Sequence, residues 1–393
     1  MKILYVHHNP GKGGSSNSLR LMLEALVKQA DIELLITCPP GPAFGRFEKS
    51  GFNVIPSPIP YPLVTTSGVR FQLLTLARSF LKKRNYDFYR EIFQKYQPDI
   101  IHFNEIGLYP YVEIAKKMGF KTVLHSRVAA DHRFKRINKY VIQQINNFTD
   151  HLIAIDYSVI ESLKGLEAEY SVVYNPFHIT EELKSYKPVH LDDPIINVTF
   201  LSNLLVHKGI KDVIRTAVIL KNKPNIQFNI AGSNVRDQNF YRSLPGKLFD
   251  LTGIYPDLEK WADNQISRHN LTNIEMLGHV SDIDALLKNT HILLMPNHMN
   301  EPSRSVFEAG IYGIPSIISL KDKVEDLVED GYNGFIVTEK SPHEIAEKIL
   351  ELKKNRDLLK RMGQNARSRF LNLNDSKKSA EQIFAVYKSL SNS

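Results

Sequence analysis

The sequence predicts an α/β chain built from two consecutive doubly wound, Rossmann-like parallel sheets. Three observations predict it. Short apolar runs of strand length alternate along the chain with amphipathic segments, the mark of parallel βα units. The alternation pauses once, over residues 176–195, where mixed polar sequence carries Pro176, Pro188 and Pro194. The length, 393 residues, suits about two to three domains. The expected organisation is a first domain over 1–178, a linker over 179–194, a second domain over 195–375 and a last helix over 376–393. Ligands of such sheets sit outside the carboxyl ends of the strands, so the two domains are expected to face a cleft.

The elements follow in order. Ile3–Val6 reads as a short buried strand, followed by a glycine-containing loop and the helical spacing Leu19, Leu23, Leu26. Further strands are expected over Glu33–Thr37, Phe52–Ile55, Ile100–Phe103, Thr122–Leu124, Leu152–Ile155 and Ser171–Val173. After the pause come Ile196–Leu201, a helix over 209–221, and strands Ile226–Ala231, Asn273–Leu277, His291–Met295, Pro315–Ile318 and Gly334–Val337. Helices over 342–354, 356–370 and 376–391 close the chain. Segment 70–96 breaks the pattern. It interleaves Arg70, Arg78, Lys82, Lys83, Arg84, Arg90 and Lys95 with Phe71, Phe80, Tyr86, Phe88, Tyr89, Phe93 and Tyr96. It reads either as a solvated helix face with aromatics packed inward or as a basic surface for an anionic membrane interface.

Composition bounds the function. Hydrophobic content of 42% and charged content of 23% exclude a disordered chain. The single cysteine, Cys38, excludes an internal disulfide framework and a cysteine-built zinc cluster, and reads as a small core residue. The apolar start is too short for a signal peptide, and no run approaches the ~18 residues of a membrane span. A cytoplasmic protein is expected. The net charge of +8 is unevenly placed: residues 1–190 hold 24 Lys and Arg against 17 Asp and Glu, residues 191–393 hold 26 against 25. The first half is therefore expected to meet something anionic. No nucleic-acid motif or aromatic stacking platform stands out, so nucleic acid is not expected as the partner.

The segment Glu301-Pro-Ser-Arg-Ser-Val-Phe-Glu308 is the richest in chemistry. It follows the strand His291–Met295 and should run into a helix. A strand-to-helix turn offers free backbone N–H groups at the positive end of the helix dipole, which suits phosphate. Carboxylates beside it accept hydrogen bonds from sugar hydroxyls. The plainer reading is that Glu301 and Glu308 only complement the helix dipole. Lys208-Gly209 precedes the helix after the second domain's first strand, where a lysine can neutralise a diphosphate or merely lie on the surface. The first loop holds Gly13 and Gly14, which let backbone approach a ligand closely. It is not G-x-G-x-x-G, and no acid is placed for a dinucleotide ribose, so a nicotinamide enzyme is disfavoured. His125 follows the strand Thr122–Leu124, where an imidazole can contact a substrate hydroxyl, assist proton transfer or serve structure. His102, Asn104 and Glu105 follow a neighbouring strand and are expected on the same side, toward the acceptor.

Taken together, these pieces resemble retaining glycosyltransferases of the GT-B fold, specifically glycosyltransferase family 4. The resemblance runs through the Gly13-Gly14 loop, His125, Tyr174-Asn175-Pro176, Ser202-Asn203-Leu…Lys208-Gly209 and Met276-Leu-Gly278-His279-Val280. It continues through Glu301…Glu308 and Asp330-Gly-Tyr-Asn-Gly334. It implies that the second domain binds a nucleotide diphosphate sugar, a UDP- or GDP-sugar above all, with no metal or other cofactor. Glu308 would hold the ribose hydroxyls, Glu301 would lie near the donor sugar, and Lys208 would neutralise the diphosphate. Gly278, His279 and Val280 would meet the base, and Ser303, Arg304 and Ser305 the phosphates or sugar. Gly14 and Asn203 complete the donor side, and His125 would touch the donor sugar from the first domain.

Two departures stand out. Six residues lie between Glu301 and Glu308 where the family has seven, so Asn300 occupies the strict spacing. Asn203 stands where many members have arginine. The resemblance implies transfer to a hydroxyl of a saccharide or lipid-linked acceptor, in cell-surface polysaccharide or glycolipid synthesis, with peripheral contact to an anionic inner membrane face. Domain closure would exclude water from the reaction. A sugar-nucleotide epimerase on the same fold and a non-catalytic binding protein are the alternatives.

Overall fold

In a computed structural model the described residues are all of 1–393 except 12, 30, 61–78, 131–134, 178, 189–192, 299–303, 320–326 and 393, with the side chains of 79–84 and 135 also outside the description. The chain divides into two compact units, one of residues 1–178 and 374–393, the other of 179–373.

The first unit runs β1 (Lys2–Val6), α1 (Gly14–Gln29), β2 (Glu33–Cys38), α2 (Pro42–Lys49), β3 (Asn53–Pro56), α3 (Ser79–Tyr96) and β4 (Ile100–Phe103). It continues with α4 (Tyr109–Lys117), β5 (Lys121–Ser126), α5 (Lys135–Phe148), β6 (His151–Ala154), α6 (Tyr157–Ser162) and β7 (Tyr170–Val172). Its seven strands pair in the order β3-β2-β1-β4-β5-β6-β7, all parallel. Both faces are covered, so β1 is apolar at every inner position. Leu4 and Val6 enter a core with Tyr89, Phe93, Tyr111 and Ile145, while Ile3 and Tyr5 enter a second core on the opposite face with Leu19, Leu23 and Phe47. Cys38 is fully buried in that second core, and burial pushes its thiol up to about 12.

The second unit opens with α7 (Glu181–Ser185), then β8 (Ile196–Leu201), α8 (Ile210–Ile219), β9 (Ile226–Ala231), α9 (Gln238–Arg242), α10 (Leu244–Leu251) and α11 (Leu258–His269). β10 (Ile274–Gly278), α12 (Ile283–Lys288), β11 (Ile292–Met295), α13 (Arg304–Ile311), β12 (Ser316–Ser319), β13 (Gly334–Val337), α14 (Pro342–Lys354) and α15 (Arg356–Leu373) follow. Six strands pair in parallel in the order β10-β9-β8-β11-β12-β13. Segment 179–194 groups with this unit: Arg367 reaches the carbonyls of Leu183 (2.5 Å) and Lys184 (2.9 Å), and Thr180 caps α7.

The last helix, α16 (Ser376–Asn392), belongs to the first unit. It lies along α1 and buries Ala380, Ile383, Val386, Tyr387 and Leu390 in the core that holds Ile3 and Tyr5. Asn374 ties the crossing down, donating to the Asn175 carbonyl at 2.7 Å and accepting from Phe177 N–H at 3.2 Å.

Each strand expected from the sequence is present within a residue or two of its expected limits. The helices α9 and α10 were not anticipated. Their apolar residues show no clean period, and side-chain caps set them instead: Asp237 accepts from Phe240 N–H and Ser243 from Gly246 N–H. In the 70–96 segment the described aromatics Tyr86, Phe88, Tyr89, Phe93 and Tyr96 pack against the core, which is the inward-packing reading. The side chains of Lys82, Lys83 and Arg84 lie outside the described residues. Among the described residues no helix is long and apolar enough to cross a membrane.

Candidate active site

In a doubly wound sheet the ligand crevice opens where successive connections leave a strand on opposite sides. In the first unit that strand is β1, flanked by β2 and β4. The carboxyl ends of β1, β4 and β5 bring together His7, His102, Asn104, His125 and Arg127, all buried. Their polar atoms form one chain. His102 Nε2 lies 3.2 Å from His125 Nδ1, and its Nδ1 lies 2.6 Å from the hydroxyl of Tyr387, which also bonds the hydroxyl of Tyr5. Arg127 Nε donates to Asn104 Oδ1 at 2.7 Å, one Nη to Asn175 Oδ1 at 2.5 Å, and the other faces His125 Nδ1 at 3.5 Å. Asn104 Nδ2 reaches His7 Nδ1 at 3.0 Å, and His7 Nε2 reaches Ser16 Oγ at 3.0 Å. Ser16 donates to the Gly11 carbonyl at 2.8 Å and so pins the glycine loop that runs into Gly14, the first residue of α1.

The electrostatics follow from burial. Burial first, and the Arg127 charge in addition, push His102 and His125 well below the usual imidazole range, and His8 down to about 4. His7 is likewise lowered well, by burial first and then by His8 and Arg127. Burial also lowers Arg127, to about 10, against the opposing pull of Glu105, so it stays charged at neutral pH. His125 is therefore a neutral hydrogen-bonding group at physiological pH. Its Nε2 is buried and meets no hydrogen-bond partner among the described residues. His102 and Asn104, expected toward an acceptor, are fully buried behind His125 and Arg127. Glu105 is buried and caps the following turn through Ile106 N–H at 2.8 Å.

In the second unit the switch strand is β8, between β9 and β11. Helix α8 leaves β8 to pack with α11 and α14, and α13 leaves β11 to pack with α15, so both helices begin at the switch point. Gly209 makes the first entry. Its φ of 82° is left-handed, and a Cβ there would collide with the carbonyl of Pro296 after β11. Lys208 stands half-buried on the turn Val206–Lys208 just before it, and Asn203 is exposed at the end of β8. The turn after β11 is anchored to α8: His298 Nε2 lies 2.6 Å from Asp212 Oδ2, and His298 N–H donates to the His207 carbonyl at 2.7 Å.

At the start of α13, Arg304 Nε donates to Glu308 Oε1 at 2.9 Å, and both side chains are partly exposed. Ser305 is buried with its hydroxyl unpaired among the described residues. At the end of β10, Gly278 has a φ of 65° and its carbonyl accepts from Gly232 N–H at 2.7 Å; His279 is exposed and Val280 half-buried. Glu301 and Ser303 lie outside the described residues. The described sequence-derived candidates in this unit thus stand at the carboxyl ends of β8, β10 and β11.

Sequence reasoning missed Arg127, Tyr387 and the Asp212–His298 pair. Arg127 had a local signal, since it lies two residues beyond His125 and so on the same face of an extended chain. Tyr387 had none, because its partner His102 is 285 residues away.

Residues 184–369 match the family described as Glycosyl transferases group 1. The poly(ribitol-phosphate) α-N-acetylglucosaminyltransferase of Staphylococcus aureus is 24% identical over 283 residues, 71% of this chain and 51% of that protein. A Campylobacter jejuni N,N'-diacetylbacillosaminyl-diphospho-undecaprenol α-1,3-N-acetylgalactosaminyltransferase is 26% identical over 193 residues, 49% of this chain and 44% of that protein. The chain thus spans about half the length of these curated relatives. Among solved structures, Anabaena HepE in complex with UDP superposes with a TM-score of 0.77 at 19% identity, over 99% of this chain and all of that one. TarM of S. aureus superposes with a TM-score of 0.68 at 13% identity, over 100% of both chains. The segment that matches this family lies within the second unit, and both units have the parallel-sheet architecture of GT-B glycosyltransferases.

Proposed function

We propose that the chain is a retaining glycosyltransferase that moves a sugar from a nucleotide diphosphate donor to a hydroxyl of a saccharide or lipid-linked acceptor, in cell-surface polysaccharide or glycolipid synthesis. The observation that carries this reading is the switch point of the second unit. There Gly209 and the Arg304–Glu308 pair open two helices at neighbouring strand ends, beside Lys208. Two helix N-termini and two cations suit a diphosphate, and a carboxylate oriented by Arg304 suits ribose hydroxyls. The UDP complex of HepE supports a uridine donor, with GDP as the rival base.

In this reading Glu308 holds the ribose, and Gly278, His279 and Val280 meet the base. Lys208, Arg304 and the first turn of α13, with Ser303 and Ser305, balance the charge that grows on the leaving diphosphate. Gly14 and Asn203 complete the donor side. Glu301 and His125 attend the sugar. His102, Asn104 and Glu105 serve the acceptor side from behind, by holding Arg127 and His125. The acceptor would be met by the more basic first unit, with contact to an anionic membrane face as the route to lipid-linked acceptors.

The test is thermal shift and turnover with UDP-, GDP- and ADP-sugars, with and without hydroxyl acceptors. One nucleotide should stabilise the protein, and its release from the sugar should depend on added acceptor. Sugar conversion without acceptor would make it an epimerase. Stabilisation without turnover would make it a binding protein.

A further inference from the structure

The hydrogen bonds behind His125 have a direction. An arginine only donates, so His125 Nδ1, facing Arg127 at 3.5 Å, is an acceptor. His102 Nε2 lies 3.2 Å from the same Nδ1, and one of the two nitrogens must carry a proton; with His125 accepting, it is His102 Nε2. A neutral imidazole has one N–H, so His102 Nδ1 accepts, and the Tyr387 hydroxyl donates to it at 2.6 Å. The Tyr5 hydroxyl in turn donates to Tyr387. Burial raises both tyrosines above their ordinary range, so each keeps the proton this chain needs. His125 then carries its single proton on Nε2, the buried atom that meets no partner among the described residues. A buried N–H left unpaired is costly, and a ligand oxygen satisfies it.

We propose that Tyr387, on the C-terminal helix, is a positioning residue that acts through His102 to hold His125 in the tautomer presenting Nε2–H, so that the transferred sugar must offer this group an acceptor oxygen. The inference rests on His125 attending the sugar, and it adds the direction of that contact and its source. The helix α16 then has a function beyond packing: it carries the hydroxyl that donates to His102 in the chain that ends at the sugar. Arg127 sets the sense of the chain at one end and Tyr387 completes it at the other. With the Tyr387 hydroxyl removed, only the long 3.5 Å contact from Arg127 still favours the parent sense, and His102 has no donor at Nδ1. It can then place its own proton there and accept from His125 instead, leaving His125 Nε2 a lone pair where an N–H is needed.

The experiment is nitrogen NMR of the full-length protein labelled at histidine, with His125 assigned by difference from His125→Gln. The expected parent spectrum shows His125 Nδ1 bare and Nε2 protonated. Tyr387→Phe, which removes one oxygen from a ring that stays in place, should populate the Nδ1–H form. Tyr5→Phe should not, because Tyr387 still donates. In turnover, Tyr387→Phe should lower kcat about five- to tenfold with the KM for the donor little changed. His125→Gln, whose amide N–H can stand near Nε2, should retain more activity than His125→Asn. A parent spectrum with His125 protonated at Nδ1 overturns the proposal, as does a tautomer indifferent to Tyr387→Phe or equally sensitive to Tyr5→Phe. If no nucleotide sugar turns over, the glycosyl-transfer reading fails, and the spectra alone decide the hydrogen-bond chain.

Discussion

Glu308 is the side chain on which donor affinity is expected to turn. It is three-quarters buried and held by Arg304 at 2.9 Å, so its carboxylate is oriented before any ligand arrives. Glu308→Ala removes the carboxylate proposed to accept the ribose hydrogen bonds and takes from Arg304 its 2.9 Å partner. Nucleotide affinity should fall by about 1.5–3 kcal/mol, read by calorimetry with the nucleoside diphosphate. Unchanged affinity would move the ribose elsewhere. His125 is expected to behave differently. Its environment holds it neutral, so it contributes a hydrogen bond and not a titrating acid. His125→Ala should lower turnover about ten- to a hundredfold while nucleotide affinity stays near that of the parent, because the contact proposed for it is to the sugar. Equal turnover in the two proteins would return His125 to a structural role.

At the scale of elements, the entry to α8 is a tight point of the second unit. Gly209 combines a left-handed backbone with contact against the Pro296 carbonyl, so any side chain must push β8 and β11 ends apart. Gly209→Ala should cost about 1–3 kcal/mol of stability, and nucleotide affinity should fall with it, since Lys208 is displaced. A variant with the parent's melting temperature would show that the turn relaxes freely. Much of this level was legible. Parallel strands buried on both faces are nearly continuous apolar runs, and each announced itself, as did Lys208-Gly209 and the start of α13. What stayed hidden was long-range or capped. The α9–α10 pair is held by Asp237 and Ser243 side chains and not by hydrophobic period. His102, Asn104 and His125 were visible at their strand ends. Their mutual bonds, and those to Arg127 and Tyr387, depend on sheet order β1-β4-β5 and on the return of α16, which no local pattern encodes.

At the scale of the whole molecule, the two units should differ in their response to acid. In the first unit burial pushes five histidines, His7, His8, His102, His125 and His151, below the ordinary range, and the second unit buries His291. The sign is fixed by linkage. Each of the five has a folded pKa below its unfolded value of about 6.5, so the unfolded chain binds the extra proton. The stabilisation is complete above about pH 6.5 and is lost as pH falls toward the folded values, which for His8 is about 4. Each such histidine removes about 1.4 kcal/mol per pH unit inside that window. Arg127, charged and buried, lowers four of them, His7, His8, His102 and His125, and so makes their protonation costlier still. The chain carries its own reporter for the comparison, because its single tryptophan, Trp261, lies in the second unit under Lys211. Thermal melts at pH 7, 6 and 5 should therefore show a circular-dichroism transition that moves down steeply with acid, ahead of a Trp261 fluorescence transition that moves less. Coincident transitions falling together at every pH would mean that the buried histidines do not set the acid stability of the first unit.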